Sequence, residues 1–189
     1  MEPFLASTGA VALAEIGDKT QLLAFALAGR FRAPLPIILG IAVATLLNHA
    51  AAAALGSLAP WLFSPEILRW VVAATFLAMA AWLLIPDRLD GADDAPSASA
   101  AGPFVATLVC FFLVEIGDKT QIATSLLAAR YDALLQVVAG TTLGMMLVNA
   151  PTVLLGDRLS MRLPLPAIRI AAAALFAALG VAALFIPMG

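Results

Sequence analysis

The feature that most constrains this chain is a seven-residue sequence that occurs twice in apolar surroundings. Residues 15–21 read Glu-Ile-Gly-Asp-Lys-Thr-Gln, and residues 115–121 repeat the same letters in the same order. Together the two copies place four carboxylates and two ammonium groups in segments otherwise made of hydrocarbon. Each such charge costs about 2.5–3.5 kcal/mol at the centre of a membrane helix. A cost of this size, carried twice, indicates a functional site.

The composition excludes a soluble protein. Of the 189 residues, 63% are hydrophobic and 12% are charged, whereas a soluble domain carries roughly 25% charged residues. The net charge of −2 gives no reason to expect a nucleic-acid partner, and no obligate protein partner is evident. One cysteine and one histidine cannot supply a disulfide framework or a zinc or copper cluster.

Six apolar segments are long enough to cross a bilayer, which takes about 20 residues each. They alternate with stretches rich in proline, glycine and charge, which mark the connections. The sequence therefore predicts an all-α membrane protein with six transmembrane helices, over residues 3–28, 34–57, 66–86, 103–128, 133–156 and 165–187.

The repeat extends beyond the motif. At a constant offset of 100 residues, identical residues include the pairs Arg30/Arg130, Gly40/Gly140, Gly56/Gly156, Arg69/Arg169 and Phe76/Phe176. We therefore expect two three-helix repeats, 1–86 and 103–189, joined by an acidic and Ala/Ser-rich linker at 87–102. Because three spans are an odd number, the second repeat enters the membrane from the opposite side, as in inverted-repeat transporters.

The basic residues in short loops predict the orientation, because cytoplasmic loops carry an excess of Lys and Arg. One side of the predicted topology collects Arg30, Arg32, Arg88, Arg158, Arg162 and Arg169, and the other only Arg69 and Arg130. This bias places the linker in the cytoplasm and both termini outside it.

The motif lies about 12 residues into its span, which corresponds to about 18 Å, close to half a bilayer. In a continuous helix, Glu15 and Asp18 would share one face, Gln21 would extend it, and Lys19 would pair with Glu15. Gly17 would either admit a neighbouring backbone or let the helix unwind. Both copies are expected at the membrane midplane.

The charges point to a divalent cation. Four carboxylates and two lysines sum to −2, which one divalent ion or two protons would neutralise. Hard oxygen ligands favour manganese, calcium or magnesium over zinc or copper. We expect a shell of acids completed by amides and hydroxyls, from Glu15, Asp18, Glu115, Asp118, Gln21, Gln121, Thr20 and Thr120. Lys19 and Lys119 are expected to tune the charge of the site. Candidate residues lining the ion path are Asn48, His49 and Asn149, for which helix–helix hydrogen bonding is an equal alternative.

The doubled motif resembles the hallmark Glu-x-Gly-Asp-Lys/Arg-Thr/Ser of a family of small cation/proton exchangers. This family includes bacterial MneA-type manganese exporters and the Golgi manganese and calcium transporters of eukaryotes. The resemblance implies export of manganese, or else calcium, driven by proton entry, with the motif acids forming the ion site. It also implies a multi-pass protein of the bacterial inner membrane.

The expected function is thus secondary active transport of a divalent cation against protons, with no enzymatic activity and no cofactor. Three alternatives stand beside it: a passive cation channel, an exporter of a small organic solute, and a metal-assisted membrane hydrolase, which lacks a base outside the motif. A purely structural role is the remaining alternative, in which the charges would pair to hold spans one and four together.

Overall fold

The computed structural model describes residues 1–85, 102–155 and 165–185, and all regular secondary structure within these ranges is helical. Residues 1–85 contain five helices. They are α1 (Glu2–Glu15), α2 (Lys19–Phe31), α3 (Pro34–Ser57), the short α4 (Ala59–Leu62) and α5 (Pro65–Leu83). Proline stands in the first turn of α1, α3, α4 and α5, where its missing N–H costs no hydrogen bond.

The second half repeats the order of α1, α2, α3 and α5 at the same offset of 100 residues. Its helices are α6 (Gly102–Glu115), α7 (Lys119–Tyr131), α8 (Leu134–Leu155) and α9 (Leu165–Phe185). Even the helix ends match, because α2 and α7 both close on a left-handed residue, Arg32 at φ 50° and Asp132 at φ 45°. The predicted linker lies outside the described residues except for Gly102, which begins α6.

Each motif interrupts its helix, which is the unwinding considered for the motif glycine from the sequence. Helix α1 ends at Glu15, α2 begins at Lys19, and the same interruption separates Glu115 from Lys119. The chain turns at Gly17 and Gly117, whose φ angles are +81° and +75°, a conformation that side-chain-bearing residues adopt only with strain. Glu15 and Asp18 therefore lie on opposite sides of a break and not on one helical face.

Helices of one half pack mainly on helices of the other half. The principal pairs are α1 with α8, α3 with α6, and α5 with α9. Corresponding residues make corresponding contacts: a Cβ at Gly40 would lie 2.8 Å from the Phe104 carbonyl oxygen, and one at Gly140 would lie 2.5 Å from that of Phe4. Glycine at these crossings lets the helix backbones approach closely.

Two of the corresponding residues also meet at the α5–α9 crossing. The rings of Phe76 and Phe176 are edge-on, with centroids 5.8 Å apart and an interplanar angle of 67°. Both side chains are completely buried. This geometry is the preferred one for aromatic pairs, and it anchors α5 and α9 against each other at equivalent positions of the repeat.

The outer surface is apolar, as expected for a chain in lipid. Leu35, Leu55 and Trp61 are 66%, 70% and 88% exposed, and similar large side chains cover most outward faces. Within the described ranges, four helical segments are long and apolar enough to cross a membrane: Pro34–Leu62, Pro65–Leu83, Leu134–Leu155 and Leu165–Phe185. The protein is therefore a helical multi-pass membrane protein. The motif-bearing segments consist of two shorter helices each.

Candidate metal site

Side chains of the first motif copy stabilise the helix break within that copy. Asp18 is the N-cap of α2 and its Oδ1 accepts a hydrogen bond from the Lys19 N–H at 2.8 Å. Gln21 Oε1 accepts from the Gly17 N–H at 2.8 Å, and the Thr20 hydroxyl donates to Glu15 Oε1 across the break. Backbone groups that a broken helix leaves without partners are thereby satisfied locally.

The second copy reproduces this arrangement with small differences. Gln121 Oε1 accepts from the Gly117 N–H at 2.8 Å. Asp118 Oδ2 accepts from the backbone N–H of Thr120, and the Thr120 hydroxyl lies 3.2 Å from both Glu115 Oε2 and Asp118 Oδ2. The glutamine and threonine of each copy, expected as ion ligands, thus have a clear structural role in shaping the break.

An ion pair joins the two copies. Lys19 Nζ lies 2.9 Å from Asp118 Oδ1, so the predicted pairing of Lys19 with Glu15 is wrong. The break explains the difference: it turns Lys19 away from the face on which a continuous helix would carry Glu15. A cross-repeat pair of this kind fixes the two motifs beside each other in the protein interior.

All four motif acids are withdrawn from the surface. Glu15 and Glu115 are 0% exposed, Asp18 2% and Asp118 3%. Glu15 lies within electrostatic range of the other three acids. The acids of the two motifs therefore lie in one acidic centre, and a shared ion site there stays a prediction.

The two lysines have unequal surroundings. The side chain of Lys19 is 26% exposed, whereas Lys119 is only 2% exposed and its Nζ lies 5.4 Å from the centre of the Trp82 ring. A cation over an indole face is stabilised by about 0.5–2 kcal/mol. Trp82 lies at the end of α5, so this contact joins α5 to α7.

A small crevice reaches the first copy between α1, α5, α7 and α9. Gly17, Asp18, Lys119 and Arg169 contribute to its wall, beside apolar residues such as Leu83. The crevice therefore borders the acidic centre on the side of Asp18.

Helix α8 contributes two polar side chains to the first copy. Asn149 Nδ2 donates to Glu15 Oε1 at 2.9 Å, and Thr152 Oγ1 accepts from Gln21 Nε2 at 3.1 Å. Asn149 was a candidate path-lining residue and lies directly at the site. Thr152 was missed, although its position three residues after Asn149 places it on the same helical face.

The two polar residues of α3 behave differently from each other. Asn48 Nδ2 donates to the Phe112 carbonyl of α6 at 3.1 Å, which is the helix–helix hydrogen bond considered for it. His49 is completely buried, and neither of its ring nitrogens has a hydrogen-bond partner among the described residues.

Several acceptor oxygens at the centre are likewise buried without a hydrogen-bond partner in the described part of the chain. They are Glu15 Oε2, Glu115 Oε1 and Asn149 Oδ1. Oxygens of this type are the ligands of hard divalent cations. No three His, Cys, Asp or Glu side chains of residues 1–85, 102–155 and 165–185 are grouped closely enough to hold a metal ion in this conformation.

The fold and the site define a helical multi-pass membrane protein with a doubled acidic motif buried at two helix breaks. The profile of the family described as divalent cation/proton antiporter GDT1 matches residues 3–91 and 103–188. The chain belongs to this family, and the resemblance seen in the motifs is confirmed.

A protein of Vibrio cholerae serotype O1 (strain ATCC 39541 / Classical Ogawa 395 / O395), named "Putative manganese exporter", is 56% identical over 176 residues. The alignment covers 93% of this chain and 86% of that protein. No solved structure matches the chain.

Proposed function

We propose that the protein exports manganese across the bacterial inner membrane in exchange for protons, with the acids of the two motifs as the shared binding site. The observation that carries this proposal is the ion pair between Lys19 of one copy and Asp118 of the other. It brings two distant segments of sequence to one buried acidic centre. The name of the Vibrio relative supports manganese as the ion, and calcium is the alternative.

The exchange follows from charge balance. Buried acids in close proximity disfavour the state in which all of them are ionised. One divalent ion would neutralise the net −2 of the two motifs, and two protons would do the same. Each state of the cycle then crosses the membrane interior without a large uncompensated charge.

Transport also needs two arrangements of the site. The correspondence of α1–α5 with α6–α9 supports an inverted repeat of six membrane-crossing segments, in which α1 with α2 and α6 with α7 form the two broken ones. Since no three ligands are grouped in the described conformation, we propose that the two halves close on the ion when it binds.

The proposal is tested by flux of Mn²⁺ in proteoliposomes, with and without a pH gradient, for the wild type, Glu15→Gln and Glu115→Gln. We expect gradient-dependent Mn²⁺ flux in the wild type and loss of most of it in each variant. Glu66→Gln, which changes an exposed carboxylate at the start of α5, serves as the matched control. Flux that ignores the pH gradient would favour a channel, and normal flux in either motif variant would contradict a joint site.

A further inference from the structure

We propose that His49 provides an imidazole ligand to the transported ion at the Glu115 half of the site, and that this nitrogen makes the protein prefer manganese over calcium. The inference rests on the proposed function, because it assigns a ligand to the same site. It starts from the correspondence between the two halves of the molecule.

The α1–α8 crossing shows which contact is made by Asn149, the residue equivalent to His49 in the repeat. Gly140 of α8 lies against Phe4 and Ser7 of α1, and farther along the same crossing Asn149 donates to Glu15. Position 149 of α8 therefore stands opposite the last residue of α1, which is the first acid of the motif.

The α3–α6 crossing has the same register. Gly40 of α3 lies against Phe104 and Thr107 of α6, which is the Gly140 contact shifted by 100 residues in both helices. Asn48 then reaches the Phe112 carbonyl, one turn before the end of α6. This register assigns His49 to the position opposite Glu115, as Asn149 is opposite Glu15.

Polar atoms of His49 and Glu115 lack hydrogen-bond partners among the described residues. His49 is completely buried with both ring nitrogens unpartnered, and Glu115 Oε1 is buried and unpartnered as well. Burying a polar group without a partner is costly. His49 of α3 and Glu115 of α6 thus each keep a buried polar atom without a hydrogen-bond partner, and a cation bound between them when the two halves close would satisfy both.

The two half-sites consequently differ in one ligand. The Glu15 half offers an amide oxygen from Asn149, and the Glu115 half offers an imidazole nitrogen. Calcium takes oxygen ligands almost exclusively, whereas first-row transition metals accept imidazole as well. An imidazole in one half therefore favours Mn²⁺ over Ca²⁺ without excluding oxygen ligands elsewhere.

The chain offers a clean spectroscopic test because it contains a single histidine. Purified protein carrying a histidine-free affinity tag is loaded with Mn²⁺ and studied by pulsed electron paramagnetic resonance. We expect nitrogen coupling to the bound Mn²⁺ that changes to the ¹⁵N pattern when the protein is made with ¹⁵N-histidine. His49→Asn, which copies the residue at position 149, should abolish this coupling while Mn²⁺ still binds.

Affinity gives a second readout. In His49→Asn we expect Mn²⁺ binding to weaken by about tenfold, the lower range for loss of a group that supports a metal site, with Ca²⁺ binding changed less than about twofold. Suppose that the wild type binds Mn²⁺, that Glu15→Gln loses this binding, and that the bound Mn²⁺ shows no coupling to histidine nitrogen. This result would overturn the role of His49 and leave the proposed function standing. If the wild type showed no Mn²⁺ binding that depends on Glu15 and Glu115, the role of His49 and the proposed function would both be overturned.

Discussion

At the scale of single residues, the glycine of each motif decides the shape of the site. Gly17 and Gly117 have positive φ angles, and their turns bring the acid before the break close to the residues after it. A Cβ at Gly17 would also lie 2.9 Å from Leu165 Cδ2, whereas a Cβ at Gly117 would meet nothing within 4 Å. A substitution at Gly117 therefore tests the effect of the backbone angle without added steric overlap.

We expect Gly117→Ala to lower the free energy of unfolding by about 1–2 kcal/mol, the cost of a left-handed conformation for an L-residue. Mn²⁺ transport should fall with it, because relaxing the angle moves Glu115 relative to Asp118. Unfolding by SDS in mixed micelles measures the first effect, and flux in proteoliposomes the second.

Gly29→Ala is the matched control for that variant. Gly29 lies inside α2 with open space around its Cα, so alanine there should be neutral or stabilising by about 0.5–1 kcal/mol. If Gly117→Ala proved as stable and as active as Gly29→Ala, the positive φ would not be what the motif requires.

At the scale of helices, close backbone contacts join the halves. Gly56, at the end of α3, lies against Ser125 of α7, and a Cβ there would overlap the Ser125 carbonyl oxygen. The Ser125 hydroxyl in turn donates to the Ala52 carbonyl at 2.9 Å. This contact packs α3 directly on the helix that follows the second break.

Gly56→Ala should therefore push α3 away from α7 and lower the free energy of unfolding by about 1–3 kcal/mol, the usual cost of overpacking. The same SDS titration measures it. Gly9→Ala, in α1 where a Cβ would meet nothing within 4 Å, should leave the midpoint unchanged or raise it. Equal midpoints for the two variants would contradict the described α3–α7 contact.

The sequence predicted the helical membrane class, because apolar length is a direct signal. The inverted repeat of six spans and the joint ion site stay predictions. The sequence left the helix breaks undecided, since a glycine within an apolar run is compatible with a continuous helix as well as with an unwound one. One signal was available: Asp18 followed three residues later by Gln21 resembles the Asp-x-x-Gln start of a helix. The Lys19–Asp118 pair and the Trp82 contact could not be predicted, because they depend on how distant helices pack.

At the scale of the whole molecule, orientation in the membrane is an independent prediction. Gly29 and Glu66 are both exposed, and the excess of basic residues assigns them to opposite sides. In a Cys110→Ser background, Glu66→Cys should react with an impermeant thiol reagent applied to intact cells, and Gly29→Cys should react only after lysis. The reverse pattern would invert the proposed topology.

The last prediction concerns the coupling of metal to protons. If the empty centre is neutralised by protons, Mn²⁺ must displace them, so the apparent affinity for Mn²⁺ should weaken as the pH falls. Because several acids share the site, they titrate together, and the change should be steeper than for one group. Binding of Mn²⁺ by purified protein between about pH 5.5 and 8.5, with released protons followed by a dye in weak buffer, measures both quantities.

Two variants make this experiment specific. Glu115→Gln removes one buried carboxylate and should flatten the pH dependence while weakening Mn²⁺ binding, because fewer protons exchange for each ion. Glu66→Gln removes an exposed carboxylate of the same kind and should leave the slope unchanged. We expect about two protons released per Mn²⁺ in the wild type, as the net charge of the two motifs requires. Binding that stays constant over this range, with no protons released, would leave a channel or a structural role for the buried charges as the better explanation of the doubled motif.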